Sequence, residues 1–361
     1  MNIVCFTESL AAGGAQRQLV NLALLFQKKG HSVLFLTYRE ENFFLSELKE
    51  NNIRTYQIPN KNYIERLFNT RKFLRSISVD IVISFLETPN FIACFSAIGR
   101  HRWKLITTEL SAKMSTFTGK RSKIFIPFQR FSNKIVCNSV NAQKLWENYC
   151  PQYKSKLMTI YNPVLIRENE VQKNVTSKRT VVIPASYQYL KNPIRLIEAV
   201  NQLPEEKKKN IIIDWYGKKE PSKGNTAAYD EATALVKQYG LENVIHLNEE
   251  IHEIYNVMRK CDAVGLFSTV EGLPNAICEG MYMGKPIIMT KISDYDMFAS
   301  GGGVFLCDAE SVGSIRSALE NFIDIGEDQL MRMSNANYEL AHANFSPEVV
   351  INQWENLIAN I

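Results

Sequence analysis

Residues 271–280 read EGLPNAICEG, two glutamates eight positions apart with Leu-Pro-Asn between them. Upstream, CDAVGLFSTV (261–270) is a short apolar run of the kind shown by a parallel strand buried on both faces. Downstream, Pro274 to Met283 has a proline near its start and Gly284 just past its end, which predicts a helix. Lys285-Pro286 then leads into IIMT, a further strand. Glu271 therefore sits at the carboxyl tip of a strand, and Glu279 inside the helix that follows. Such joints hold ligands in doubly wound sheets, and the free N–H groups and dipole of a helix start favour phosphate. A carboxylate repels phosphate but accepts two hydrogen bonds from a ribose diol. The pair fits a nucleoside diphosphate carrying a further polyol. By spacing alone, two surface glutamates at an ordinary strand–helix joint fit equally.

The same rhythm runs outward in both directions. NIVCF, a helix from about Ala15 to Lys29 closed by Gly30, and SVLFLT form a first βαβ unit, with Leu19, Leu22, Ala23 and Phe26 at helical spacing on the buried face. IRTYQI (53–58), DIVISF (80–85), KLITT (104–108), KIVCNS (134–139) and LMTIY (157–161) continue it. A polar stretch, 163–180, breaks the rhythm and reads as a linker. TVVIPA (180–185), NIIIDWYG (210–217), NVIHL (243–247), PIIMT (286–290) and GVFLC (303–307) resume it. SPEVVINQWENLIANI closes the sequence as a helix with Ser346 as N-cap and Pro347 in its first turn. Two such alternations predict an α/β protein of two doubly wound, Rossmann-like domains facing a cleft, with boundaries at 1–165 and 166–345. The helix 346–361 is expected to return to the first domain.

At 361 residues, two domains are the expectation for an α/β chain, and an apolar fraction of 45% supplies both cores. No run approaches the ~20 apolar residues of a membrane span, and the N-terminus does not read as a signal peptide. The seven cysteines are scattered without CxxC pairs, so neither a disulfide framework nor a zinc site is indicated, and a cytosolic, reduced protein is expected. The net charge of +5 conceals a division. Residues 1–165 hold 23 Lys and Arg against 10 acids, a net of +13, and 166–361 hold 19 against 27, a net of −8. The halves should meet different partners.

S-x-x-E-G-L-P-N-A-I-x-E-G-M-x-x-G-K-P-I, from Ser268 onward, resembles the E-x7-E signature of retaining glycosyltransferases of the GT-B fold, family 4. GGAQRQLVNLALLFQKKGHSV (13–33) is similar to that family's first glycine-rich loop and helix, and KIVCNSVNAQKL with TIYNPV (159–164) to the close of its N-terminal domain. IPASYQYLKNPIRLIEAV (183–200) is similar to the start of its donor domain. The resemblance implies that Glu279 holds the ribose hydroxyls and that Glu271 faces the donor sugar in an electrostatic and orienting role. Around Leu273, Pro274 and Asn275 the backbone would surround the diphosphate, with Leu273 and Asn275 supplying the N–H groups that Pro274 lacks. Gly13 and Gly14 would bring an opposing loop close to the phosphates. Arg17 would reach a donor or acceptor phosphate, or be a solvated structural arginine. Where the family carries a Gly-Arg pair, this chain has Ala185-Ser186, with Lys191 in the lysine position. Ser186 gives a hydrogen bond but no charge, so Lys191 should carry more of the leaving-group stabilisation. A front-face route to retention is implied, with no metal and no cofactor beyond the nucleotide-sugar co-substrate.

Other candidates are weaker. Glu109 follows a first-domain strand and could face the acceptor hydroxyl as a catalytic residue, or be a plain loop glutamate; Glu87 is of the same kind. Asp294-Tyr295-Asp296 reads as a turn rather than a metal motif, and the histidines have no metal-like spacing, with His246 read as core. The segment 113–134 has six cations and no acid, interleaved with Phe117, Phe125, Phe128 and Phe131, and 64–77 reads as an amphipathic helix carrying Arg66, Arg71, Lys72 and Arg75. Basic residues mixed with aromatics suit an anionic membrane surface or a lipid-linked diphosphate, or form a solvated face offsetting the acidic half. No nucleic-acid recognition module is present. The expected protein is a retaining, metal-independent hexosyltransferase, cytoplasmic and peripheral on the inner membrane. It would move sugar from a nucleotide-sugar, UDP-linked on family frequency, to a lipid-linked or saccharide acceptor in bacterial surface polysaccharide assembly. The alternatives are a non-catalytic nucleotide-sugar-binding partner and a GT-B-like sugar-nucleotide epimerase.

Overall fold

A computed structural model describes residues 1–166, 178–221 and 224–361; most of the stretch read as a linker, 167–177, lies outside the described residues. The chain divides into two compact units, Met1–Leu165 with Ser346–Ile361, and Ile166–Phe345.

The first unit is built on strands β1 (Asn2–Phe6), β2 (Ser32–Thr37), β3 (Arg54–Gln57), β4 (Ile81–Ser84), β5 (Lys104–Glu109), β6 (Lys134–Cys137) and β7 (Leu157–Thr159). They form one sheet in the order β3-β2-β1-β4-β5-β6-β7, every neighbouring pair parallel. Because side chains alternate across a strand, β1 feeds two cores. Ile3 and Cys5 enter one, with Leu19, Leu22, Ala23 and Phe26 of the helix Gly14–Lys28. Val4 and Phe6 enter the other, with Leu74 of the helix Tyr63–Ser76 and Ile92 of the helix Glu87–Ser96.

The helix Pro347–Ala359 packs on the first of these cores through Val350, Ile351, Trp354, Leu357 and Ile358. Trp354 meets Phe26 edge-on, with centroids 6.2 Å apart. At its rim His31 Nε2 lies 2.8 Å from Glu355 Oε1, and Lys29 Nζ donates to Asn352 Oδ1 at 3.1 Å. Ser346 occupies the N-cap position but makes no side-chain cap; Pro347, whose missing N–H costs nothing there, starts the helix.

The second unit repeats the plan with β8 (Arg179–Pro184), β9 (Ile211–Gly217), β10 (Ile245–Glu249), β11 (Ala263–Leu266), β12 (Ile287–Thr290) and β13 (Val304–Cys307). Their order is β10-β9-β8-β11-β12-β13, again all parallel. In both sheets the order reverses beside the first strand, between β1 and β4 and between β8 and β11, so a crevice opens at the carboxyl ends there. β4, β11 and β12 are buried along their whole length, as their unbroken apolar runs require. All seven cysteines are buried and unpaired, and burial pushes the Cys5 thiol up to about 12. Among the described residues no helix is long and apolar enough to cross a membrane.

Two glycines set the spacing around the β8–β11 crevice. A Cβ on Gly217 would stand 1.9 Å from the Ala185 carbonyl oxygen, so the tips of β8 and β9 can approach only with glycine there. A Cβ on Gly280 would stand 3.0 Å from Val264 Cβ, where the helix Asn275–Tyr282 lies directly on β11. Gly217→Ala is expected to lower the stability of the second unit by ~2 kcal/mol or more, as an overpacked backbone contact does. Gly313→Ala, inside the helix Val312–Asp324 with only Ser311 Oγ at 4.0 Å, should be neutral or stabilising. Urea unfolding of the two variants beside the native chain checks the contrast.

Candidate active site

After β8 the chain passes Ala185, whose carbonyl accepts from Trp215 Nε1 at 2.5 Å, and Ser186, whose hydroxyl accepts from Gln188 Nε2 at 2.7 Å. A 3₁₀ turn, Tyr189–Lys191, follows and ends at Asn192, in the left-handed region at φ 66°. Asparagine tolerates that conformation, and its side chain secures it by donating to the Ala309 carbonyl at 2.8 Å. The Leu190 carbonyl accepts from the Thr269 N–H at 2.8 Å, tying the turn to the loop after β11. Lys191 is thereby held over the crevice, where its Nζ meets Glu271 Oε1.

That pair is mostly shielded, with side chains 20% and 15% exposed. Glu271 Oε1 also accepts from Ser268 Oγ at 2.7 Å, and the Ser268 carbonyl accepts from Thr290 Oγ1 at 2.6 Å. Beyond Glu271, Ser293 Oγ donates to the Gly272 carbonyl from a residue at φ 55°. The strand tip is thus fixed from both sides, from the β8 loop and from the segment after β12.

The helix Asn275–Tyr282 begins at Pro274, with no side-chain cap and no acid in its first turn. Ile277 and Cys278 N–H groups donate to the Pro274 carbonyl, and Leu273 is buried just before it. A helix start with neither cap nor acid is suited to an anion. Glu279 lies on the same helix and its Oε1 accepts from the Tyr255 hydroxyl at 3.0 Å. Tyr255 belongs to the helix Ile254–Lys260 and was not legible as a site residue, since nothing local links it to a glutamate 24 positions away. Asp294 is buried at the start of the short helix Tyr295–Ala299, its carbonyl accepting from the Met297 N–H at 2.9 Å. His246 is not in the core: its Nδ1 lies 2.7 Å from Asp214 Oδ1, across the β9–β10 register.

In the first unit Gly13 is the extended N-cap of the helix Gly14–Lys28, and Arg17 stands one turn in. Its guanidinium lies 3.2 Å from Glu47 and 4.5 Å over the Phe44 ring, so it is engaged within its own unit. Glu109 ends β5. Its Oε1 accepts from the Ser111 N–H at 3.0 Å and hydroxyl at 2.9 Å, and its Oε2 from Trp146 Nε1 at 3.1 Å. Burial raises its carboxyl above the ordinary 4.5 despite those donors, with the Glu87 charge adding to the rise. Glu87 and Glu109 line one cavity of about 360 Å³.

The basic segments serve the fold more than their composition implied. Arg71 donates to the Phe95 and Ser96 carbonyls, Arg75 to those of Ile98 and Arg100, and Arg66 stacks on Tyr38. Cations at a helix carboxyl end are favourable, which accounts for Arg71, at the end of the helix Glu87–Ser96. Phe117, Phe125, Phe128 and Phe131 pack inward against the cores. The exposed apolar side chains are others: Ile64, Phe68, Met114 and Ile124.

Comparison with known proteins adds to this geometry. Residues 12–167 match the family model described as Glycosyltransferase Family 4, and 166–340 the one described as Glycosyl transferases group 1. A Campylobacter jejuni N-acetylgalactosamine-N,N'-diacetylbacillosaminyl-diphospho-undecaprenol 4-alpha-N-acetylgalactosaminyltransferase is 23% identical over 352 residues, 92% of each chain. A second C. jejuni enzyme is an alpha-1,4-N-acetyl-D-galactosaminyltransferase acting on a GalNAc-GalNAc-diNAcBac-PP-undecaprenol. It is 23% identical over 291 residues, 78% of this chain and 77% of its own. Anabaena HepE, solved in complex with UDP, superposes over 100% of both chains with a TM-score of 0.85 at 16% identity.

Glu109 carries a pH signature. With its folded-state pKa raised, the unfolded chain releases this proton first as pH climbs past 4.5. The folded state then holds more protons, so stability declines through the window between 4.5 and the raised value. Glu109→Gln abolishes that slope. The stability advantage of the native chain over the variant should be largest near pH 4.5 and shrink toward pH 8, as followed by urea midpoints. A difference that stays constant with pH would contradict this reading.

Proposed function

The chain belongs to the GT-B glycosyltransferases, with a Family 4 first unit and a group 1 second unit, and from that premise we propose a retaining, metal-independent sugar transfer from a UDP-sugar to a lipid-linked saccharide. The observation that carries this reading is the group at the β8–β11 crevice. An uncapped helix start there is flanked by Lys191 with Glu271 on one side and by Glu279 with Tyr255 on the other. The UDP in the HepE complex supports the choice of donor. The undecaprenol-diphosphate substrates in the names of the two C. jejuni relatives support the choice of acceptor, and with it a role in bacterial surface oligosaccharide assembly.

In this mechanism the N–H groups of Leu273 and Asn275 meet the diphosphate, Glu279 accepts from the ribose diol, and Glu271 orients the donor sugar. Lys191 passes from Glu271 to the diphosphate as the donor enters. The bond from the anomeric carbon to the diphosphate oxygen breaks while the bond to the acceptor oxygen forms on the same face. The acceptor hydroxyl proton goes to the departing diphosphate. Negative charge grows on the leaving group, where Lys191 and the helix start stabilise it with no metal. Ser186, already holding Gln188, contributes a hydroxyl and no charge. The first unit takes the acceptor, with Glu109 beside its hydroxyl and Arg17 for a donor or acceptor phosphate.

The first unit also rests on the cytoplasmic membrane surface. Ile64 and Phe68, one turn apart on the helix Tyr63–Ser76, are exposed among Lys61 and Lys72. Ile124 is exposed between Lys123 and Phe125 on the helix Ser122–Phe128, and the Arg121 charge acts on Tyr63 of the other helix. Each cation near an anionic surface contributes roughly 1 kcal/mol. The double variant Arg121→Glu, Lys123→Glu is therefore expected to lower sedimentation with phosphatidylglycerol vesicles by at least ~tenfold in partition coefficient. Binding that ignores both the charge reversal and added salt would rule the surface out.

Thermal shift against UDP-, GDP-, ADP- and CMP-sugars tests the donor site. UDP-sugars should stabilise the native chain, and Glu279→Ala should weaken them by ~10- to 100-fold, the loss of a charge-assisted pair of hydrogen bonds. Lys191→Met should keep most of the binding and lose turnover. Stabilisation by none of the four classes would favour a non-catalytic partner instead.

A further inference from the structure

The two glutamates of the strand–helix joint are held by different means. Glu271 is met by the cation of Lys191, whereas the Tyr255 hydroxyl donates to Glu279 Oε1 at 3.0 Å. Glu279 is the one charged residue of its helix, NAICEGMY, so no cation one turn away on that helix pairs with it. The hydroxyl reaches it from a different element, the helix Ile254–Lys260.

That second helix is fixed at both ends. At its start Asn256 Nδ2 donates to Glu253 Oε2 at 2.9 Å, and the Asn256 N–H donates to the Glu253 carbonyl at 3.0 Å. At its end Lys285 Nζ donates to the carbonyls of Arg259 and Cys261, at 2.6 and 2.9 Å, while Met258 is fully buried. Lys285 also belongs to the close of the Glu279 helix. It follows Gly284, at φ 67°, and its N–H donates to the Gly280 carbonyl at 2.9 Å. The two helices are therefore tied at two points, through Tyr255 to Glu279 and through Lys285. Tyrosine has few rotatable bonds, so its hydroxyl is presented from a rigid base.

A glutamate side chain is long, and ordering it when a ligand arrives costs side-chain entropy. Oriented beforehand, the same carboxylate binds more tightly with no added contact. Tyr255 takes one of about four acceptor positions on the two oxygens and, being neutral, does not cancel the charge. A carboxylate of fixed plane and full charge suits hydroxyls on adjacent carbons and repels phosphate.

We propose that Tyr255 is the positioning residue of the ribose contact: by fixing the Glu279 carboxylate it makes the donor site select a ribonucleotide over one lacking the 2′- and 3′-hydroxyls. This role rests on the donor reading above for the nucleotide, and on the Tyr255 and Lys285 contacts for the positioning. The diphosphate is assigned to the Leu273 and Asn275 N–H groups, so its share of the binding does not pass through Tyr255.

Calorimetric titration of the full chain with UDP, GDP and ADP, each beside its 2′,3′-dideoxy form, tests the role in native protein, Tyr255→Phe, Glu279→Ala and the double variant. Native protein should favour the ribonucleotide it binds over the dideoxy form by ~10- to 100-fold, the worth of hydrogen bonds to a charged group. Tyr255→Phe should lower that preference at least ~threefold, a coupling of the size found between touching residues, while the dideoxy form binds as before. In the Glu279→Ala background the same substitution should change nothing. Equal weakening of both forms, an effect that persists without Glu279, or an unchanged preference would overturn the role and leave the donor reading standing. Native protein that binds both forms equally takes the ribose contact from Glu279, and the role with it, but keeps the nucleotide. Native protein that binds none of them removes the donor reading as well.

Discussion

In an all-parallel sheet every strand delivers its carboxyl end to the same edge, and where the strand order reverses the connections leave in opposite directions. Nothing then covers the tips of the two strands between them. Both sheets of this protein obey that constraint, and both candidate sites lie where it leaves room. In the second unit Lys191 follows β8 and Glu271 follows β11, the two strands that flank the reversal. In the first, Leu86 and Glu87 follow β4, beside β1.

The two crevices are furnished in opposite senses. The helix start after β11 has no acid in its first turn, a proline at its N-cap, and a lysine brought in from another loop. The helix start after β4 carries Glu87, and the neighbouring strand ends in Glu109. One helix start is free of acidic charge and the other carries it. This difference in charge is local to the two helix starts. It comes from which side chains fill the first turn rather than from the architecture.

Lys191 and Glu271 also show how much support a single contact needs. The lysine stands on a turn that would be unfavourable without Asn192 in the left-handed region, and Asn192 is held by Ala309. The glutamate is held by Ser268, and the Ser268 backbone by Thr290. Beneath them Gly217 lets β9 approach Ala185 closely enough for Trp215 to donate to its carbonyl. The pair is thus kept in place by a second layer of contacts around it, which is how a site reaches the precision that charge stabilisation demands.

Local periodicity was enough to read the strands: NIVCF coincides with β1, and the apolar runs before Glu271 and after Pro286 fall on β11 and β12. Proline and glycine near the ends bounded the helix Asn275–Tyr282 to within a residue, because both act through backbone conformation that is local to the chain. The E-x7-E spacing likewise put two carboxylates on one strand–helix joint without reference to anything distant. What the sequence could not disclose were contacts between elements far apart in the chain. Tyr255 on Glu279 and Trp146 on Glu109 each depend on how helices pack against strands. Composition misled where it counted residues without their direction. The phenylalanines of 113–134 turn inward, Arg71 closes a helix end and Arg75 holds the loop after it, because burial and carbonyl capping are decided only when the chain is folded. The sequence alone determined the elements and the joint that carries the glutamates. The tertiary structure decided which side chains hold those glutamates, since that depends on donors and acceptors brought together across the fold.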